Sequence, residues 1–87
     1  MTTTEMPDVD AVAAAIRSWA AELLDEPGVD LTENFLDLGG HSLLAIQLSR
    51  RCEQHFGRPI DMRVLFESSL ADVAVQLRDT LRPDAKP

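Results

Sequence analysis

Tyrosine is absent, cysteine and tryptophan occur once each, and aromatic residues make up only 5% of the 87 positions. A lone thiol, Cys52, excludes an internal disulfide and with it the disulfide-stapled secreted scaffolds. With two widely separated histidines it matches no zinc-binding spacing, so no metal site is expected. No apolar run is long enough to span a bilayer, and no basic-then-apolar leader opens the chain. Positive charge is scarce as well. Eight lysines and arginines stand against fifteen acids, giving a net charge of −7 and a pI near 4.5. Such a surface repels a phosphate backbone, which argues against nucleic acid as a partner. These absences point to a cytoplasmic protein without a membrane role.

What remains is aliphatic. Hydrophobic residues are 45% of the chain, with alanine, leucine and valine prominent, a composition that favours packed helices. The length argues for one small domain with a modest core. Charge is unevenly spread. Residues 1–41 carry nine acids and one base, Arg17, whereas residues 42–66 carry four arginines against Glu53 and Asp61. An acidic surface serves solubility. It also sets the segment beginning at Ser42 apart electrically from what precedes it.

Four helical segments follow from periodicity. In "DVDAVAAAIRSWAAELL", residues 8–24, Val12, Ile16, Trp19 and Leu23 fall on one stripe, with Asp8 or Asp10 as the N-cap. "DEPG" ends that helix. Residues 25–41 read as a loop, long for a compact domain and therefore of functional interest. Leu31, Phe35, Leu36 and Leu38 lie in it, and Phe35 and Leu36 are expected to anchor it to the core. A second helix is predicted from Ser42 to about His55, a short third from Asp61 to about Phe66, and a fourth over residues 68–81. In the fourth, Leu70, Val73, Ala74, Leu77 and Leu81 form the buried stripe, and Ser69 with Asp72 resembles a capping box. No strand alternation or internal repeat is present. The expected fold is all-α: a small four-helix bundle with a short third helix and a long loop between helices one and two. The domain is predicted over residues 8–82, with flexible ends at 1–7 and 83–87.

The second helix has two apolar faces. With about 100° per residue, Leu44, Leu48, Cys52 and Phe56 share one side, expected to be the core side. Leu43 and Ile46 fall opposite it beside Arg50, and Ser42 borders the same region. Single exposed apolar residues are ordinary. Two of them next to an arginine also suit a docking surface.

The stretch "DLGGHSLLAIQLSRRC", residues 37–52, places one serine between a glycine pair and an apolar helix. Gly40-His41-Ser42 partly resembles a nucleophile elbow, but no glycine follows at the required position and no strand precedes it. A nucleophile also needs a base in reach. His55 lies thirteen residues on, roughly 20 Å along the helix, and His41 has no evident orienting group. Catalysis is therefore not expected. Ser42 is a good N-cap by residue type. It also stands where helix amides converge and the dipole is positive, a natural place for an anion. Gly39 and Gly40 would leave room for a large group to reach its hydroxyl.

"NFLDLGGHSLLA", residues 34–45, resembles the attachment motif of peptidyl carrier proteins of nonribosomal peptide synthesis. The similarity runs from about Ala11 to Leu81 and takes in "SWAAELL" and "LFESSLADVA". It implies a carrier domain that performs no catalysis. Ser42 would accept phosphopantetheine from coenzyme A through a transferase that uses Mg²⁺, with Gly39, Gly40 and His41 around the attachment point. The thiol of the arm would hold an aminoacyl, aryl or peptidyl group as a thioester, loaded by an adenylation enzyme. Condensation, tailoring or thioesterase enzymes would then act on it. Leu43, Ile46 and Arg50 would meet these partners, Leu44 and Leu48 would hold the helix to the core, and Trp19 and Cys52 would be core residues.

Carriers of fatty-acid and polyketide synthesis generally have aspartate before the serine and an acidic second helix. His41, Arg50 and Arg51 depart from both, which favours the peptidyl branch. A histidine at that place also resembles carriers that feed condensation or release. A start at Met1 and an end soon after helix four suggest a free-standing carrier acting in trans, with a domain cut from a larger synthetase as the alternative, and a monomer is expected. Two alternatives remain: a non-catalytic helical adaptor that binds through the Leu43, Ile46 and Arg50 face without modification, or an acyl carrier of a polyketide pathway.

Overall fold

The structure, a computed structural model, describes residues 8–81. The ends expected to be flexible lie outside the described residues. Within them the chain forms α1 (Val9–Leu24), α2 (Ser42–Phe56), α3 (Met62–Glu67) and α4 (Leu70–Thr80), joined between α1 and α2 by a loop over residues 25–41. The all-α expectation holds. Extended pairing among the described residues is a single bridge between Asn34 and Ser69. No helix among them is long and apolar enough to cross a membrane.

Each helix starts and stops for an identifiable reason. The Asp8 carboxylate accepts the Ala11 N–H at 2.9 Å and opens α1. Asp25 closes it in the left-handed region at φ 54°, donating its N–H to the carbonyls of Ala21 and Glu22. Pro27 follows close behind. Gly57 ends α2 at φ 91° with its N–H on the Glu53 carbonyl. The Asp61 side chain caps α3 through Arg63 N–H at 2.9 Å, and Ser69 Oγ accepts from Asp72 N–H at 3.2 Å to start α4.

Helix α1 packs against α4 and α2, and α3 lies against α4 and α2. The core comprises Val12, Ile16 and Ala20 from α1, Ala45, Leu48 and Cys52 from α2, and Leu65 from α3. Leu70, Val73, Ala74 and Leu77 come from α4, and Val29, Phe35 and Ile60 from the connecting segments. On α1 Val12 and Ile16 are buried as expected, and the stripe departs from expectation in its second half. Ala20 is fully buried, while Trp19 and Leu23 are half-buried at the margin of the core. The small alanine lets the neighbouring helices approach, and the larger side chains cover the seam. Trp19 meets the His55 ring edge-on, with centroids 5.4 Å apart, and lies 5.9 Å from Phe56.

On α2 Leu48 and Cys52 are buried as expected, and the ends of the stripe differ. Ala45 is buried, and Leu44 and Phe56 are half-buried. Ser49 also faces inward, where its Oγ accepts the Ile60 N–H at 3.1 Å. Leu81, expected in the α4 stripe, follows the helix and is half-buried.

Candidate functional site

Ser42 is exposed and is the first residue of α2. The N-cap is His41, whose extended backbone precedes the helix and whose carbonyl accepts the Ala45 N–H at 2.9 Å. The serine therefore does not serve as the cap. Among the described residues the other three helices each begin with a side-chain cap, from Asp8, Asp61 and Ser69. Helix α2 has none, and its first turn holds no acid. Its leading N–H groups thus keep their capacity for an anion beside the serine hydroxyl.

The approach to Ser42 is a hydrogen-bonded hook over residues 34–40. Leu38 N–H donates to the Asn34 carbonyl at 3.1 Å, Gly39 N–H to the Leu36 carbonyl at 3.0 Å, and Gly40 N–H to the Phe35 carbonyl at 2.9 Å. Phe35 is fully buried and pins the hook to the core as expected. Leu36 does not, being 47% exposed on the outer side. Two consecutive residues of a tight turn point to opposite sides, so one ring anchors and the other side chain is left outside.

The glycines have reasons that the sequence did not disclose. Gly40 is buried, and a Cβ there would overlap the Phe35 ring. Gly39 adopts φ 100°, a conformation that side chains resist, while the space beside it is open. The pair shapes the turn in front of Ser42. Room for a ligand is an added consequence at Gly39 and not the reason for Gly40.

Asn34 is the residue that sequence reasoning missed, although it stands first in the quoted motif. Its Oδ1 accepts Leu36 N–H at 2.8 Å and Asp37 N–H at 3.2 Å, and its Nδ2 donates to the carbonyls of Phe66 at 3.1 Å and Ser68 at 2.8 Å. Only the turn-forming habit of asparagine was available as a signal. The carbonyl partners are 32 and 34 residues away and leave no local trace.

Along α2, Leu43 is 59% and Ile46 48% exposed, and Arg50 is exposed beside them. Arg50 forms no ion pair among the described residues, whereas Arg51 is engaged by Glu22 of α1 at 2.6 Å. The outer face of α2 is therefore apolar near Ser42 and cationic further along. Cys52 is on the opposite side, fully buried, and burial pushes its thiol up to about 12. It is a packing residue with no access to solvent.

A shallow groove of about 710 Å³ lies between the loop and the α3–α4 corner, lined by Asn34, Leu36 and Phe66 together with Glu33, Asp37, Glu67 and Asp72. Its carboxylates repel a phosphate, and Ser42 does not line it. The start of α2, with an exposed hydroxyl, free amides and no nearby acid in its first turn, is the better seat for a phosphodiester.

The family model described as "Phosphopantetheine attachment site" matches residues 14–77. The chain is 42% identical over 66 residues to malpinin synthetase of Mortierella alpina, covering 76% of this chain and 1% of that protein. It is 42% identical over 57 residues to a dimodular nonribosomal peptide synthase of Bacillus subtilis, covering 64% of this chain and 2% of the relative. It is 30% identical over 74 residues to surfactin synthase subunit 2 of the same species, covering 84% and 2% respectively. The chain thus corresponds to a very small part of each relative.

Proposed function

Since the chain belongs to the phosphopantetheine attachment site family, as a carrier domain of the nonribosomal peptide synthetase kind, we propose that Ser42 is the residue that bears its arm. The observation that carries this reading is the exposed Ser42 hydroxyl at the one helix start, among the described residues, that no side chain caps. In the loading reaction the Ser42 oxygen forms a bond to the phosphorus that bears pantetheine in coenzyme A. The bond from that phosphorus to the bridging oxygen breaks, adenosine bisphosphate departs with the electron pair, and the hydroxyl proton passes to the transferase. No base within this chain is required. When attached, the group supplies a terminal thiol that carries an acyl cargo as a thioester.

The chain's own contribution is presentation. The uncapped amides that open α2 adjoin Ser42 and would favour the negative charge of a phosphodiester attached there. Leu43 and Ile46 offer apolar contact to the transferase and to enzymes that load or consume the cargo, and Arg50 offers a charge for a carboxylate on those partners. By analogy with the synthetases it resembles, the cargo is an aminoacyl, aryl or peptidyl group, an adenylation enzyme loads it, and condensation, tailoring or thioesterase enzymes receive it. A cytoplasmic location suits a protein whose only cysteine is kept as a buried thiol.

Intact-mass measurement after incubation with coenzyme A, Mg²⁺ and a broad-specificity phosphopantetheinyl transferase tests the assignment. One phosphopantetheine is expected on the wild type and none on Ser42→Ala. A mass gain that survives the substitution would place the attachment elsewhere. An unmodified wild type that still binds partners through Leu43 and Ile46 would favour an adaptor.

A further inference from the structure

One side chain, Asn34, joins the hook that leads to Ser42 to the α3–α4 corner. The Asn34 carboxamide uses both of its halves. Oδ1 closes the start of the hook through Leu36 and Asp37 N–H, and Nδ2 holds the hook to the carbonyls that end α3 and precede α4, those of Phe66 and Ser68. Two acceptances and two donations satisfy the group's hydrogen-bonding capacity. The chain then passes over buried Phe35, turns through Gly39 and Gly40, and delivers His41 and Ser42 to α2.

The loop does not depend on Asn34 for its attachment to α4. Leu70 N–H donates to the Glu33 carbonyl at 2.9 Å and Ala71 N–H to the Leu31 carbonyl at 2.8 Å, just upstream. Phe35 fills the core just downstream. Between these two anchors the carboxamide is the side chain that bonds both the hook and the corner.

We propose that Asn34 is a positioning residue for the loading of Ser42: by tying the hook to the α3–α4 corner it fixes where the serine hydroxyl is presented to the transferase. This rests on Ser42 as the attachment residue. It separates Asn34 from Leu43 and Ile46, which contribute to docking. Loss of docking weakens binding of the carrier, whereas a displaced hydroxyl slows the chemical step once the carrier is bound.

Two substitutions divide the role. Asn34→Asp keeps oxygens for Leu36 and Asp37 N–H but turns an oxygen toward the Phe66 and Ser68 carbonyls, so the turn survives and the side-chain tie to the corner is lost. Asn34→Ala removes both. The measurement is steady-state transfer of phosphopantetheine from coenzyme A with the apo-chain varied, at a temperature where circular dichroism shows each variant folded. For both variants kcat should fall about tenfold or more, with KM for the apo-chain within about twofold of wild type. The amide resonances of Gly40 and Ser42 should move, while those of Val12 and Ile16 in α1 stay in place.

Unchanged kcat in both variants would overturn the assignment, as would a loss carried wholly by KM. A kcat loss that cooling abolishes would show a stability effect only and would also overturn it. If neither variant folds, amide hydrogen exchange of the wild type decides. Protection at Leu36, Asp37 and Gly40 comparable to that in α4 supports a rigid hook, and exchange as fast as in an open loop refutes it. Failure of the wild type itself to be modified would instead refute Ser42 as the attachment point, and the resonance shifts would still test what Asn34 holds in place.

Discussion

The ring of Phe35 occupies the space that a side chain on Gly40 would need. The two residues face each other across the hook, and Gly40 N–H closes it on the Phe35 carbonyl. Gly40→Ala therefore forces either the ring or the turn to move, at a cost of about 1–3 kcal/mol from overpacking. For a domain of this size each kcal/mol corresponds to about 4–8 °C in Tm. Gly39→Ala meets open space but must adopt φ 100°, costing roughly 1–2 kcal/mol of backbone strain. Thermal melts of both variants check the pair. Phe35→Leu in the Gly40→Ala background should recover part of the loss, because it removes the outer ring atoms Cε2 and Cζ from the collision, and it should not improve Gly39→Ala.

Ser49 supplies a second test of buried geometry. Its hydroxyl is the acceptor for Ile60 N–H at the turn that leads into α3. Ser49→Ala leaves that amide unsatisfied inside the protein and should destabilise by about 1–3 kcal/mol. Urea denaturation measures the loss, and the Ile60 amide should exchange with solvent much faster than in the wild type.

The contrast between these residues and the helices explains what was legible beforehand. Helix limits were readable because caps and breakers act locally: Asp8, Pro27, Gly57, Asp61 and Ser69 each mark a boundary near the place where it is found. The outer face of α2 was readable because Leu43 and Ile46 lie opposite Leu48 on any helix of ordinary pitch. Half of each buried stripe was readable, Val12 and Ile16 on α1 and Leu48 and Cys52 on α2; Ala20 and Ala45 complete the stripes in place of Trp19 and Leu44 because a small side chain lets helices approach closely. The loop was the least legible part. The partners of Asn34 come from the far end of the chain, and the collision that requires Gly40 exists only once Phe35 is folded inward.

The two faces of α2 predict opposite outcomes for the same kind of substitution. Ile46 is half exposed and Leu48 fully buried, two residues apart. Ile46→Asp should keep helicity and stability within about 0.5 kcal/mol. Its cost should fall on docking, with KM for transfer of phosphopantetheine raised about fivefold or more, as expected when an apolar interface residue worth over 1 kcal/mol is lost. Leu48→Asp buries a carboxylate in a small core and should abolish cooperative melting. Circular dichroism, followed by transfer kinetics on the folded variant, tells the two apart. Full docking by Ile46→Asp would move the partner surface off this face.

Cys52 gives the pH dependence a definite sign. Burial raises its thiol from 9.0 to about 12 in the folded protein. Below pH 9.0 the thiol is neutral in both states, and the contribution of its burial is fully present. Above that value the unfolded chain releases the proton while the folded chain retains it, so the unfolded state binds fewer protons and stability falls as pH rises. The decline should run from about pH 9.0 to about 12, with a limiting slope near 1.4 kcal/mol per pH unit. Cys52→Val keeps an apolar side chain of similar bulk and should remove this component, so the difference between the two proteins in alkaline urea denaturation isolates it from other titrating groups. The same burial makes Cys52 unreactive toward a disulfide reagent in the folded apo-protein at neutral pH and reactive in urea. Attachment of phosphopantetheine should then add one fast-reacting thiol under native conditions. Rapid labelling of the apo-protein would show that Cys52 is reached from solvent and would remove the basis for the alkaline slope.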